Sequence, residues 1–251
     1  MDSPASAILW DDPNKFARPA GVQFFDRSVA LVRGYQEFVV TRYTAAPVNT
    51  DPKLFRKWEL LRKYFRPRFL ARRILLDLGA NGGFFSFLAA QGGADRVLAT
   101  DIDARYLEMI RDTSAALGIP RIETVEQNVA DRSEPADIVL ALALVHWIYS
   151  CTAILGSLDA VMERLSRLCR YMLIVEWVDP TDSAIQSFGH LDFNRAHAQS
   201  PYTRQQFEYA LSHYFARWEV IDAVSPTRAL YAAFKTAQEI DLSGDLPFIR
   251  P

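Results

Sequence analysis

The chain has 251 residues, half of them hydrophobic, and a formal net charge of −2. This length suits one large domain, or one domain with an appendage. The charge balance lacks the basic excess of a nucleic-acid-binding surface, so nucleic acid is not an expected partner. Two cysteines are too few for a disulfide framework in a chain of this size, which favours a reducing, cytoplasmic setting.

The beginning of the chain carries acidic residues where a secretory signal would need a basic and then an apolar segment. Nowhere does the sequence contain an apolar run of the roughly 18 residues that a transmembrane helix needs. We therefore expect an intracellular protein with no membrane partner.

The first seventy residues predict an appendage that is mainly helical. Residues 1–20 contain three prolines and little periodicity, which is typical of an irregular arm. The apolar spacing over 24–41 predicts a helix, and 44–52 is a break. A second helix is predicted over 54–65, with Leu54, Trp58, Leu61 and Phe65 on one face.

From Ala71 onward the pattern changes to alternating strands and helices. Strands are predicted at 73–78, 96–101, 121–126, 137–143 and 171–176, and helices at 83–91, 104–116 and 154–168. Residues 178–201 lack clear periodicity, Thr203 can begin a helix that runs to about Tyr214, and 218–224 with 228–235 predict a hairpin. The expected fold is α/β: a Rossmann-like, mostly parallel sheet of seven strands with helices on both faces and an antiparallel terminal hairpin.

The most informative motif is LLDLGANGGFFS, residues 75–86, because a buried strand ends there in a glycine turn. A second apolar run ends about twenty residues later in Asp101 and Asp103. A strand, a glycine turn, a helix and an acidic strand end together predict a site for an adenosine-containing cofactor. Asn81 breaks the GxGxxG spacing of a strict dinucleotide fingerprint, which disfavours a nicotinamide oxidoreductase.

Over residues 71–235 these motifs resemble, in order, those of the class I S-adenosylmethionine-dependent methyltransferases. The resemblance implies a cofactor-binding domain over 71–251, with S-adenosylmethionine as cofactor and S-adenosylhomocysteine as product. Asp77 would face the ammonium group of the cofactor, and Asp101 would accept from the ribose hydroxyls, with Asp103 ranked second. The implied cofactor-binding set is Asp77, Gly79, Asn81, Gly83, Asp101, Ile102, Asn128, Val129 and Ala143.

The catalytic candidates follow the fourth and fifth predicted strands. Residues 141–144 lack the Asn/Asp-Pro-Pro-aromatic motif of amine methylases, while His146 could take a proton from a hydroxyl or could only pack. Glu176 and Asp179 could bind hydroxyls, orient His146 or ligate Mg²⁺, an ion that favours oxygen ligands.

Further substrate candidates lie in the appendage and in the 178–201 segment, which would form a substrate lid. They are Tyr43 and Lys57, with Asp179, His190 and Asp192. In small-molecule methylases the amino-terminal part often covers the cofactor, so residues 1–70 would shape acceptor choice. Lys57 and Arg62 could contact an anionic acceptor or could simply be solvated, and Trp58 favours the core.

The resemblance favours an O-methyltransferase acting on a small hydroxylated molecule. The carboxyl-terminal part is similar to bacterial enzymes for sugars, polysaccharide precursors such as a mannoside, or polyketide-type acceptors. Two alternatives stay open: an RNA-modifying methylase or carboxymethylase, and a cofactor-binding regulator without catalysis. Apolar aromatic residues near the amino terminus, including Trp10, Phe24 and Phe25, would suit a homodimer.

Overall fold

The computed structural model describes residues 21–25, 28–48, 52–132, 134–151, 155–187 and 201–237. The first elements form an antiparallel sheet in chain order, which we call the N-terminal sheet: β1 (Gly21–Phe24), β2 (Val29–Arg33), β3 (Phe38–Thr41) and β4 (Ala45–Pro47). Then follow α1 (Pro52–Leu61), a 3₁₀ turn (Arg62–Tyr64) and α2 (Pro67–Leu70).

The second sheet has seven strands: β5 (Ile74–Leu78), β6 (Arg96–Asp101), β7 (Ile122–Glu126), β8 (Ala136–Ala141), β9 (Cys169–Val178), β10 (Arg217–Ser225) and β11 (Arg228–Phe234). Their order is β10-β11-β9-β8-β5-β6-β7, with β11 antiparallel to both of its neighbours and all other pairs parallel. The helices are α3 (Phe84–Gln91), α4 (Ala104–Leu117), α5 (Val145–Cys151), α6 (Leu158–Arg167), α7 (Ser183–Gln186) and α8 (Arg204–Tyr214).

The central strands are buried on both faces, as parallel strands covered by helices must be. All six residues of β8 are buried. In β5 the neighbours Leu75 and Leu76 belong to two different hydrophobic clusters, one on each side of the sheet. The predicted mostly parallel sheet, the terminal hairpin and the helix that begins at Thr203 are confirmed.

The helix predicted over 24–41 is wrong, because these residues form strands of the N-terminal sheet. β3 alternates between buried and half-buried side chains, with Phe38 and Val40 inward. Its composition is aromatic and β-branched, which suits a half-buried pleated surface better than a helix. The appendage is thus a sheet followed by helices, and the predicted second helix is present as α1. The predicted arm over 1–20 lies outside the described residues.

The N-terminal sheet shares a core with the seven-stranded sheet. Phe38 is fully buried, and its ring centroid lies 5.2 Å from that of Phe84 and 6.0 Å from that of Phe87 in α3. A Cβ on Gly82 would come within 3.0 Å of Val32 Cγ1, so the sheet rests directly on the glycine turn. Among the described residues, no helix is long and apolar enough to cross a membrane.

Phe38 offers a test of this shared core. We expect Phe38→Ala to lower the free energy of unfolding by about 3–5 kcal/mol. The substitution would leave a cavity between the N-terminal sheet and α3, and neither element can move to fill it without disturbing the other. Denaturant unfolding with a far-UV signal measures the loss. Phe25→Ala is the matched control: its side chain is 60% exposed, and we expect a change within about 0.5 kcal/mol. Equal effects of the two substitutions would contradict a shared core.

Candidate functional site

The turn after β5 adopts a backbone conformation that few residues other than glycine tolerate. Gly79, Asn81 and Gly83 all have positive φ, at 67°, 50° and 87°. A Cβ on Gly83 would lie 2.7 Å from Ile110 Cγ1, so both space and conformation require glycine there. Asn81 stabilises the turn, since its Nδ2 donates to the Gly79 carbonyl at 2.8 Å. The turn leads into the first residues of α3, whose N–H groups make this end of the helix electropositive.

Asp77 is a buried carboxylate at the end of β5, directly before this turn. Ser86 Oγ donates to its Oδ2 at 2.7 Å. Burial raises the pKa of Asp77 to about 7, and the Ser86 hydrogen bond opposes that rise. A cation placed beside this carboxylate would favour its ionised form. The ammonium group that the resemblance puts here has the charge the site needs.

Asp101 connects the end of β6 to the same turn. Its Oδ2 accepts from the Asn81 backbone N–H at 3.0 Å, and its Oδ1 accepts from the Asp103 N–H at 3.0 Å. Asp103 itself caps α4 through the Arg105 N–H and forms an ion pair with the Arg105 guanidinium at 2.6 Å. Both carboxylates thus have partners within the protein, but the charge of Asp103 is paired with Arg105, whereas Asp101 accepts from neutral backbone N–H groups. This difference favours Asp101 as the candidate ribose ligand.

Three residues of the predicted cofactor-binding set, Ile102, Asn128 and Val129, lie on the loops that follow β6 and β7. Ile102 is 52% exposed, an apolar surface next to Asp101 that a planar ring could cover. Asn128 Oδ1 accepts from the Ala130 N–H at 2.9 Å, so an adenine amine would have to share this oxygen. Val129 is half-buried, and its carbonyl accepts from Arg164 Nε at 2.9 Å.

His146 lies in the first turn of α5, and only 4% of it is exposed. Its ring centroid is 5.6 Å from that of Trp147. Leu144, two residues before His146, packs over Gly79: a Cβ added to this glycine would lie 3.1 Å from Leu144 Cδ1. Ala143 has a positive φ of 50° and redirects the chain between β8 and this helix. The histidine is thus buried, two residues after the leucine that packs on Gly79.

Glu176 forms an ion pair in the protein interior. Its Oε2 lies 2.7 Å from Lys57 Nζ, and both side chains are buried. Its Oε1 lies 3.8 Å from Arg228 Nη1 and accepts no hydrogen bond from the described part of the chain. This pair joins α1 to β9, so the carboxylate at the end of the fifth parallel strand is held between two cations.

A second buried carboxylate, Asp182, lies beside the first. Arg228 donates to both of its oxygens at 2.8 Å, and Thr227 Oγ1 donates to Oδ2 at 2.6 Å. Lys53 Nζ is 3.8 Å from the same Oδ2. Burial favours the neutral acid, but these hydrogen bonds outweigh it and hold the pKa of Asp182 well below its usual value.

These charges surround a cavity of about 360 Å³, which we call the charged cavity. Its lining residues come from the β2–β3 turn, α1, α7 and β11: Tyr35, Gln36, Lys53, Leu54, Lys57, Ser183, Ala184, Ser187 and Arg228. Gln36 Oε1 accepts from the Phe84 N–H at 3.3 Å. One wall of the cavity therefore touches the start of α3, immediately after the glycine turn.

Among the predicted substrate residues, Lys57 lines this cavity. Tyr43 does not: it is 78% exposed at the β3–β4 turn, beside Arg42. The Arg62 guanidinium lies 5.9 Å from the Trp58 ring centroid, and Trp58 packs on the core as expected. His190 and Asp192, with most of the predicted lid, lie outside the described residues.

The two predicted metal ligands serve other partners. Glu176 pairs with Lys57, and Asp179 Oδ1 accepts from the N–H and Oγ1 of Thr181 at 2.9 and 2.6 Å. Within the described ranges, no group of three or more His, Cys, Asp or Glu side chains could hold a metal ion. An ammonium group 2.7 Å from Glu176 supplies the positive charge that a metal would otherwise bring.

Sequence reasoning missed Tyr35, Gln36, Lys53, Asp182 and Arg228. Arg228 follows the predicted Ser-Pro-Thr turn, and Asp182 precedes a four-residue helix that it caps. Neither position indicates from the sequence that these two residues, forty-six apart in the chain, pair with each other. Gln36 could not be found at all while its surroundings were interpreted as a helix.

Comparisons with known proteins bear on the fold. No family model matches the chain. Over 98 residues it is 36% identical to a ribosomal protein L11 methyltransferase of Azotobacter vinelandii, a stretch that covers 39% of this chain and 34% of that protein. The chain thus aligns with about a third of the length of this curated relative.

Solved structures share the architecture at low identity. The bifunctional kinase-methyltransferase WbdD superposes with a TM-score of 0.57 at 19% identity, over 77% of this chain and 38% of that one. Magnesium protoporphyrin IX methyltransferase from Synechocystis PCC 6803, solved with bound SAM, gives 0.53 at 15% identity, over 78% and 88%. A putative S-adenosylmethionine-dependent methyltransferase from Listeria monocytogenes gives 0.51 at 16%, over 72% and 98%.

The chain has the class I methyltransferase fold. The strand order decides it, because β11 is inserted antiparallel between β9 and β10. The resemblance drawn from the sequence is confirmed at the level of the fold. The methyltransferase fold places the glycine turn, Asp77 and Asp101 along the carboxyl edge of the parallel strands, where open α/β sheets bind ligands.

The raised pKa of Asp77, about 7, predicts that the affinity for S-adenosylhomocysteine depends on pH. The ammonium group of this ligand favours ionised Asp77, so binding must displace a proton below the pKa of the free protein. We expect affinity to fall about tenfold from about pH 8 to about pH 6, as measured by calorimetry. Asp77→Asn should bind weakly and without this slope, which separates Asp77 from the histidines. A flat profile for the unaltered protein would contradict this role.

Proposed function

We propose that the protein is an S-adenosylmethionine-dependent O-methyltransferase that methylates a hydroxyl group of a small molecule. A sugar, a polysaccharide precursor such as a mannoside, or another natural product would be the acceptor. One observation carries the proposal: the Asp101 carboxylate is hydrogen-bonded to the Asn81 N–H of a glycine turn that continues into α3 beside the charged cavity. Residues 71–251 would bind the cofactor, 1–70 would cover the cofactor and shape the choice of acceptor, and 178–201 would form the lid.

The residues present suit this cofactor. Gly79 and Gly83 permit the tight turn, since a Cβ on either would press against Leu144 or Ile110. Asp77 offers a buried negative charge. Asp101 lies at the same turn, and its two oxygens, which accept backbone N–H groups here, have further lone pairs for hydroxyl donors. When bound, S-adenosylmethionine supplies an electrophilic methyl group. The chain would align the acceptor, exclude water and manage the proton of the hydroxyl.

His146 is the candidate for that proton. A hydroxyl is a poor nucleophile until a base takes its proton, and a neutral imidazole can do this near neutral pH. The position of α5 supports this role. The helix begins directly after Ala143 and Leu144, and Leu144 packs on Gly79 in the glycine turn. The ring is nearly buried, so acceptor binding would have to include a small movement of the covering side chains.

A second candidate function is methylation of a protein. The match to a ribosomal protein L11 methyltransferase favours it, although that match covers only 39% of this chain. An RNA-modifying activity has less support because the formal charge is −2. A cofactor-binding regulator without catalysis would bind S-adenosylmethionine and transfer no methyl group to any acceptor.

Calorimetric titration with S-adenosylhomocysteine, and with NADH as a comparison, tests the cofactor. We expect micromolar binding of the first alone, and a loss of roughly 2–4 kcal/mol in Asp101→Ala because two hydroxyl contacts disappear. Asp103→Ala is the matched control: it removes a carboxylate two residues away and should destabilise α4 while leaving affinity nearly unchanged. An unchanged affinity in Asp101→Ala would refute the ribose assignment.

Substitution of His146 tests the base. With an acceptor found by screening hydroxylated small molecules, we expect His146→Ala to lower turnover by roughly 10²–10⁴ while S-adenosylhomocysteine binds nearly as before. His146→Gln, which keeps most of the volume, should be as slow as the alanine variant. If the glutamine variant recovers turnover, or if both variants lose cofactor affinity, the histidine serves packing and another group takes the proton.

A further inference from the structure

The charged cavity is lined by the cationic members of buried ion pairs and not by their carboxylate partners. Lys53, Lys57 and Arg228 are lining residues, whereas Glu176 and Asp182, which pair with them, are not. The Lys53 side chain is 40% exposed, whereas those of Lys57 and Arg228 are 8% and 3% exposed, so a ligand in the cavity would meet Lys53 first and the two buried cations behind it.

These cations are held in fixed positions. Arg228 is clamped by two hydrogen bonds of 2.8 Å to Asp182, and Lys57 by a contact of 2.7 Å to Glu176. Burying such pairs costs desolvation free energy that their attraction offsets only in part, so stability alone explains them poorly. Placement of positive charge at the cavity wall explains them better, since each carboxylate fixes a cation without facing the cavity itself.

The cavity also has the surroundings that an acceptor pocket needs. Gln36 lines it and accepts from the Phe84 N–H, so it adjoins the cofactor turn. Tyr35, Ser183 and Ser187 add hydroxyl groups to the same wall. A volume of about 360 Å³ is at the lower end of the range for small-molecule sites.

We propose that the acceptor carries an oxyanion, a carboxylate or phosphate group, which binds against Lys53, Lys57 and Arg228. This inference rests on the proposed function and narrows its substrate class. The oxyanion would accept charge-assisted hydrogen bonds from these cations, and it would orient the acceptor so that a hydroxyl elsewhere in the molecule faces the cofactor. Neutral analogues of the same shape would lose these bonds and bind weakly.

The first test measures anion binding to the full chain saturated with S-adenosylhomocysteine, so that the cofactor turn is already occupied. Inorganic phosphate and benzoate are titrated separately at constant ionic strength. Lys53→Gln is the informative variant, because the Lys53 side chain is 40% exposed and both buried ion pairs remain without it. We expect it to weaken binding of the anion by roughly 10-fold or more. Lys63→Gln, which removes an exposed lysine beyond α1, is the matched control and should leave binding unchanged.

The outcomes separate this inference from the proposed function. If S-adenosylhomocysteine does not bind, the proposed function fails at that earlier step. If it binds but neither phosphate nor benzoate does, or if Lys53→Gln and Lys63→Gln behave alike, the oxyanion site is refuted. Preference for one anion tells a phosphate-bearing from a carboxylate-bearing acceptor.

In methyl-transfer assays, sugar phosphates or hydroxylated acids should then outperform their parent sugars or methyl esters by about 10-fold or more, and equal rates would overturn the proposal.

Discussion

The contact on which the wall of the charged cavity depends is the buried ion pair between Lys57 and Glu176. Neither group would be stable alone in the interior, because an unpaired buried charge costs several kcal/mol. The pair therefore fixes α1 against β9. Asp182 extends the same logic, since it caps α7 and also accepts from Thr227 and Arg228. One wall of the charged cavity is thus positioned by electrostatics rather than by apolar packing.

The cofactor turn depends on the N-terminal sheet in the same way. Gly82 has no side chain, so Val32 and Phe38 can pack directly on the turn. Gln36 satisfies the first N–H of α3, which would otherwise lack an intrahelical partner. Gln36 also lines the charged cavity, so a single residue of the β2–β3 turn both supports the start of α3 and contributes to the cavity wall. If the cavity binds the acceptor, as we propose, the appendage would be part of the site.

The parts of the fold that could be predicted from sequence are those with a single local period. The strands and helices from 74 onward repeat an apolar pattern between clear turns, and the glycine turn has few alternatives. The prediction of a helix over 24–41 was wrong because Phe24, Val32 and Phe38 are compatible with a helix as well as with strands. Only the cross-strand pairing decides between the two. The contact between Arg228 and Asp182 was missed for another reason: two charged residues far apart in sequence carry no local sign of their contact.

This division explains what the fold can and cannot say about chemistry. The fold is shared with methyltransferases at 15–19% identity, among them a bifunctional kinase-methyltransferase and a magnesium protoporphyrin IX methyltransferase. Fold therefore constrains the cofactor far more than the acceptor. The lining of the charged cavity comes instead from the β2–β3 turn, α1, α7 and the first residue of β11. Under our proposal the cationic lining of this cavity would select for charge, and most of that lining comes from outside the seven-stranded sheet.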